Sequence, residues 1–279
     1  MTHLDRLLAH AEDTPWRPLE ERRAELARET PVDIADIGSG VAVLAHRAPG
    51  PFGETAVGRL GFAPDDAEAL AALPDVLASW AGRGPVDVAV GLEHAAVLGV
   101  LPAGWRVSRT SLVGTVPHAL AALAPRRRPL PDGFIIRAME PADLRPLVEQ
   151  REAFFAAHPH LAPIAPVGGA RGRARVAAQI AFLEARRAED PGLGSVLLRE
   201  GEIVGSFGFA PRGACGSVGM FLDPSVHGRG LAWAAYARLV DVMAARGLGW
   251  ITGSTANPAV LHIGRELGRE VAGWTVSPT

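Results

Sequence analysis

Apolar and polar positions follow two rhythms along this chain: a repeat near 3.6 residues that marks helices, and short apolar runs or alternations that mark strands. Leu4 to Ala27 has the helical rhythm, interrupted at Pro15-Trp16-Arg17-Pro18. Val41-Ala42-Val43-Leu44 and Val86-Asp87-Val88-Ala89-Val90 read as strands, with a helix over Asp65 to Trp80 between them. Further on, Phe134-Ile135-Ile136-Arg137 reads as a strand, and Pro141 to Phe155 and Arg171 to Arg187 as helices. Ser195 to Leu198, Ile203 to Phe209 and Ser217 to Leu222 form three strands, with Gly201 and Gly213 in the turns. A helix begins near Leu231. Its positions Ala232, Ala235, Tyr236, Leu239, Val240 and Met243 share one face, and Arg246-Gly247 supplies a basic last turn and a stop. This order predicts an α/β (α+β) fold with a mixed, mostly antiparallel sheet flanked by helices.

The clearest break is Ala124 to Gly133, where three prolines and a glycine oppose regular structure and Arg126-Arg127-Arg128 stay solvated. It divides the chain into residues 1–124, a linker over 125–133, and residues 134–279. A faint internal echo crosses this divide. Ala96-Val97-Leu98 leads to Gly104-Trp105-Arg106-Val107, and Ala259-Val260-Leu261 leads to Gly268-Arg269-Glu270-Val271. Each reads as a helix, a glycine stop and a final strand, so the two halves look like versions of one unit.

Composition narrows the function classes. With 28 Lys and Arg against 30 Asp and Glu, the chain has no basic excess for nucleic acid or an anionic membrane. Cys215 is the single cysteine, which excludes an intrachain disulfide and a cysteine-based metal site. The first residues lack the apolar run of a signal peptide, and no stretch is long enough to span a bilayer. The expectation is a cytoplasmic protein with no metal.

The segment that carries chemistry is Ser217 to Ala232. A strand ends at Asp223-Pro224, a glycine-rich turn follows, and the amphipathic helix opens at Leu231. Gly228 and Gly230 leave backbone N–H groups uncovered at the helix N-terminus, where orphan amides and the helix dipole attract phosphate. Arg229 adds a charge-assisted contact. A bare Gly-x-Gly is also an ordinary tight turn, and the strand-to-helix context distinguishes the two.

His227-Gly228-Arg229-Gly230-Leu231-Ala232 resembles the acyl-CoA-binding motif of the GNAT superfamily, [Q/R]-x-x-G-x-[G/A], with His227 in its first position. Leu222-Asp223-Pro224 resembles the family's strand-end V-x-P. Ile136-Arg137 with Pro141-Ala142-Asp143 resembles the opening of such domains, Ile251 to Ala256 the fifth strand, and Asn257-Pro258 the family's Asn at a helix start. Asn257 is equally an N-cap followed by a first-turn proline. The resemblance covers the second half. It implies acetyl-CoA as donor and a small-molecule amine as acceptor, and it allows a homodimer. Met220, Phe221 and Leu222 would meet the pantetheine arm, and Gly228 to Trp233 the pyrophosphate. The first half resembles a degenerate GNAT unit without the phosphate loop, so the pair resembles a tandem GNAT protein made of two GNAT-like domains.

One departure bears on catalysis. The family's tyrosine, seven residues after the Asn, falls here on Gly264, and the single tyrosine, Tyr236, lies in the helix after the phosphate loop. Proton-transfer candidates are His158, in Ala157-His158-Pro159-His160, Glu152 just before it, and His262 beside Gly264. A surface loop and a solvated helix face account for His158 and Glu152 better than catalysis does, and His262 is a second-rank substitute acid. The missing tyrosine also motivates a non-catalytic acyl-CoA-binding protein as the alternative. Asp36-Ile37-Gly38-Ser39-Gly40 resembles a nucleotide-binding turn but leads into a strand-like run, and Cys215 to Gly219 mimics a nucleophile elbow with no helix after it. Neither carries a function.

Overall fold

The computed structural model describes residues 2–11, 13–50, 53–83, 86–158 and 169–278. The first half carries α1 (His3–Leu8), α2 (Leu19–Leu26), β1 (Thr30–Ile37), β2 (Gly40–Gly50), β3 (Gly53–Gly61), α3 (Ala67–Ala81) and β4 (Val86–Gly91). A 3-10 helix over Leu92–Gly99, β5 (Trp105–Thr115) and α4 (Val116–Leu123) complete it. The second half carries β6 (Phe134–Ala138), α5 (Pro141–Ala157), α6 (Gly169–Glu189), β7 (Gly194–Arg199), β8 (Glu202–Arg212) and β9 (Cys215–Leu222). It closes with α7 (Leu231–Ala245), β10 (Trp250–Thr255), α8 (Pro258–Glu266) and β11 (Glu270–Pro278).

All of these strands join one sheet, in the order β1-β2-β3-β4-β11-β5-β10-β9-β8-β7-β6. The pairs β3–β4 and β9–β10 are parallel and the others antiparallel. The order contains an exchange. The last strand of the first half, β5, pairs with β10 of the second, and the last strand of the second half, β11, pairs with β4 of the first. The exchanged strands lie antiparallel side by side at the centre, where Gly273 faces Ser111 and Trp274 faces Thr110. The echo in the sequence is therefore realised as helix, left-handed glycine and final strand in both halves, with Gly104 at φ +83° and Gly268 at φ +70°.

Helices cover both faces. On β3, a side chain at Gly58 would touch Trp80 of α3, whereas one at Gly61 would touch Leu7 of α1. On β9, Gly216 faces Met243 of α7, whereas Phe221 meets Phe154 of α5 at 5.4 Å between ring centroids. Positions of odd separation point to opposite faces, so α3 and α7 lie on one side and α1 and α5 on the other. The first-half core packs Leu73, Leu77 and Trp80 against Phe62 and Val88. The second packs Ala235, Tyr236, Leu239, Val240 and Met243 of α7 with Ala119 and Leu123 of α4 and Leu267. The stripe expected on α7 is the buried stripe found, except that Leu231 takes the inward place expected for Ala232.

Two of the three arginines between the halves are paired, while Arg127 and Arg128 stay exposed as expected. A short 3-10 turn over Ala124–Arg126 carries Arg126 to Glu266 of α8 at 2.5 Å and over the Trp233 ring at 5.0 Å. Arg127 holds Asp241 of α7 in two hydrogen bonds of 2.8 and 2.5 Å. The segment is pinned to α7 and α8 by charge pairing.

Candidate acyl-CoA site

The glycine-rich turn begins where β9 ends. The Asp223 side chain accepts from the Ser225 amide at 2.9 Å and from Gln150 Nε2 of α5 at 3.2 Å, tying the strand end to both the turn and α5. Those hydrogen bonds hold its carboxyl below the usual carboxylate range. The His227 ring is turned back so that Nε2 donates to the Leu222 carbonyl at 3.1 Å. In the motif's first position, His227 thus braces the loop onto the strand end. Gly228 and Gly230 adopt left-handed φ of +75° and +76°, and open space surrounds the position of a side chain at either. Gly230 is the N-cap of α7 and supplies no side-chain cap. Among the described residues, the amides of Gly228, Arg229, Gly230, Leu231 and Ala232 donate to nothing, whereas the Trp233 amide returns to the Gly230 carbonyl at 3.1 Å. Consecutive unpaired amides at a helix N-terminus, beside an exposed arginine, fit a pyrophosphate.

A wedge-shaped opening leads inward from the loop. β9 and β10 are paired at Trp250–Cys215, Ile251–Gly216 and Thr252–Ser217, and there the register ends. From Val218 to Leu222 the β9 edge facing β10 has no strand partner, which leaves main-chain groups of Met220, Phe221 and Leu222 for an extended ligand. Among the described residues no group of three His, Cys, Asp or Glu side chains is placed to hold a metal ion.

The corresponding places in the first half are filled. β3 and β4 part after Gly58–Val88, but the buried His94 donates from Nε2 to the Phe62 carbonyl at 3.0 Å and packs on the Phe62 ring. Asp66 caps α3 by accepting from the Ala69 amide at 2.8 Å and from Ser39. A carboxylate already occupies that helix N-terminus.

The catalytic candidates separate. His158 stacks on Phe154, donates from Nδ1 to its carbonyl at 3.0 Å, and so sits one ring away from Phe221 of β9. Glu152 is engaged: one oxygen pairs with Arg175 of α6 and the other accepts from Gln179 at 3.1 Å. His262 is exposed on α8, two residues from the buried Gly264 and hence on the opposite side of the helix. His160 lies outside the described residues. The Asn257 side chain accepts from the Ala259 amide at 2.9 Å, the N-cap role open to it from sequence.

Gly264 explains its own identity. A side chain there would come within 2.4 Å of Leu112 Cδ1, a residue of the exchanged strand β5, so the volume expected for a tyrosine is occupied. Close by is a residue that sequence reasoning passed over. Arg269, only 3 % exposed, donates to the carbonyls of Leu112 at 3.2 Å and Gly253 at 3.4 Å and lies near the Tyr236 hydroxyl of α7. Its position after Gly268 carries no periodicity or motif that announces a buried charge.

Compared with known families, residues 155–268 match the acetyltransferase (GNAT) family model. Solved structures with the same fold include a GCN5-related N-acetyltransferase from Sphaerobacter thermophilus, at 16% identity and TM-score 0.57 over 86% of this chain and 77% of that one. A tandem GNAT protein from the clavulanic acid biosynthesis pathway is similar over 99% of this chain and 92% of its own, at 14% identity and TM-score 0.58. A GCN5-related N-acetyltransferase from Kribbella flavida is similar over 92% of each chain, at 16% identity and TM-score 0.52. A search of curated proteins returns no match.

Proposed function

Starting from a GNAT domain in the second half and a GNAT-type fold throughout, we propose that this protein is an acyl-CoA-dependent N-acyltransferase that transfers acetyl to a small-molecule amine. The observation that carries this reading is the run of partnerless amides from Gly228 to Ala232 at the open end of the β9–β10 wedge. Those amides and Arg229 hold the pyrophosphate, the edge at Met220 to Leu222 takes the pantetheine arm, and Trp233 borders the loop. Bound there, acetyl-CoA supplies an activated acyl group. Held in one orientation against the amine, it reacts as though in a unimolecular step, and a main-chain amide of β9 polarises the carbonyl.

The acceptor reaches the wedge from the α5 side, where Phe154 and His158 stand over Phe221. His158, oriented by its Nδ1 on the Phe154 carbonyl, is the base for the attacking amine. The first half serves as a silent copy, because Asp66 and His94 take the places a second cofactor needs. A non-catalytic acyl-CoA-binding role is the second reading, and it draws on Leu112 filling the volume of the absent tyrosine.

Calorimetric titration with acetyl-CoA tests the site. We expect one molecule bound per chain, and affinity lost by at least about tenfold in Gly230→Glu, which forces a side chain into a left-handed backbone and a carboxylate toward phosphate. Two bound molecules, or a variant that binds like the wild type, would remove the assignment. Turnover with an amine library then separates enzyme from binder.

A further inference from the structure

The buried guanidinium of Arg269 lies under the point where β9 and β10 part. The last paired residues are Ser217 and Thr252, and the next, Val218 and Gly253, flank the apex of the wedge. A side chain built on Gly253 would meet Arg269 Nη2, Val218 Cγ2 and the Val218 carbonyl, each at 3.1 Å. The same guanidinium is 3.8 Å from the position of a side chain on Gly264. It therefore occupies the neighbourhood in which the family's acid would stand, entering from β11 rather than from α8.

A buried cation is ordinarily matched by a carboxylate, because leaving charge unpaired in the interior is costly. Arg269 has none among the described residues. Its neighbours are the Tyr236 hydroxyl, the Cys215 thiol and two main-chain carbonyls, and its Nε has no partner. Burial pushes the guanidinium below its usual range without approaching neutrality at physiological pH. The same burial raises the Cys215 thiol and the Tyr236 hydroxyl, which keeps both protonated beside it. The apex of the wedge thus has a fixed positive charge and no resident negative one.

We propose that Arg269 is the electrostatic group that stabilises the departing thiolate of coenzyme A. The inference rests on the site assignment above. An arm anchored at Gly228 to Ala232, beyond the open end of the wedge, runs inward and places its sulfur toward the apex. As the amine nitrogen forms its bond to the acyl carbon, the carbon–sulfur bond breaks and its electron pair passes to sulfur. The proton lost from nitrogen goes to the base on the acceptor side, and the thiolate takes a proton from water after release. Arg269 lowers the energy of the charge on sulfur without donating a proton, which removes the need for an acid at position 264. Tyr236, near the guanidinium on α7, is assigned as a positioning residue.

The test needs no knowledge of the acceptor. Ultraviolet absorbance follows thiolate formation of coenzyme A bound to the full chain as pH is raised. The protein alone, with its single thiol Cys215 and single Tyr236, serves as blank. Wild type, Arg269→Lys, Arg269→Met and Tyr236→Phe are compared, with calorimetry of binding in parallel. In the wild-type complex the thiolate midpoint should fall at least about one pH unit below that of free coenzyme A. The depression should persist in Arg269→Lys, shrink in Tyr236→Phe and vanish in Arg269→Met, with affinity little changed. A wild-type complex that binds coenzyme A yet titrates like the free thiol overturns the proposal alone, whether or not any variant folds. Retention of the depression in Arg269→Met does the same. Absence of binding by the wild type overturns the site assignment and this proposal together.

Discussion

Gly264→Tyr is an obvious attempt to restore the family's acid, and contact distances argue that it fails. The new side chain must displace Leu112, 2.4 Å from its first carbon, inside a packed layer. Overpacking of this kind costs about 1–3 kcal/mol, so the variant should melt earlier in thermal denaturation without raising any acyltransfer rate. Leu112→Ala should also destabilise, by about 2–5 kcal/mol, because it leaves a cavity beside Gly264. If Gly264→Tyr melts like the wild type, Leu112 does not set the identity of position 264. At this scale the sequence was legible where chemistry is local. Gly228 and Gly230 take left-handed backbone before α7 and Asn257 caps α8, local conformations their spacing predicts. Glu152 and His262 were legible only as residue types. Whether a carboxylate is free or paired with Arg175, and which way a histidine faces, is not written in spacing.

Helix α5 shows why a family motif has the residues it has. Arg137 at the end of β6 clasps Asp143 in the first turn of α5 with hydrogen bonds of 2.6 and 2.8 Å, and Asp143 also accepts from the Glu140 amide at 2.7 Å. The Arg137 guanidinium holds the Asp143 carboxyl below the usual carboxylate range. A carboxyl whose folded pKa lies below its unfolded value adds stability above the unfolded pKa and loses it as pH falls through the folded one. Asp143→Asn should therefore cost about 1–3 kcal/mol at neutral pH, and its melting temperature should converge with that of the wild type in acid. Parallel melting curves that stay separated at low pH would contradict this. The rhythm of α5 and α7 was readable because a 3.6-residue repeat is a local property. β1 escaped notice because Thr30 to Asp36 is an edge strand with few buried positions, so apolar alternation is weak there.

Across the whole molecule, the exchange of β5 and β11 makes the two halves interdependent. A fragment of residues 134–279 lacks β5, so β10 and β11 lose the strand that joins them, and Arg269 loses the Leu112 carbonyl. We expect that fragment to be insoluble or to unfold without a cooperative transition, and co-expression with residues 1–124 to rescue it. A fragment that melts cooperatively by itself would show the exchange to be dispensable.

Most element positions, the glycine stops and the glycine-rich turn before α7 follow from the chain's local order. Helical period, capping and left-handed glycine each act within a few residues. The joined sheet, the filling of Gly264 by Leu112 and the placing of Arg269 at the wedge were decided by tertiary structure alone. They depend on partners far apart in the chain, 157 residues in the case of Arg269 and Leu112, and no periodicity specifies which strand completes which half.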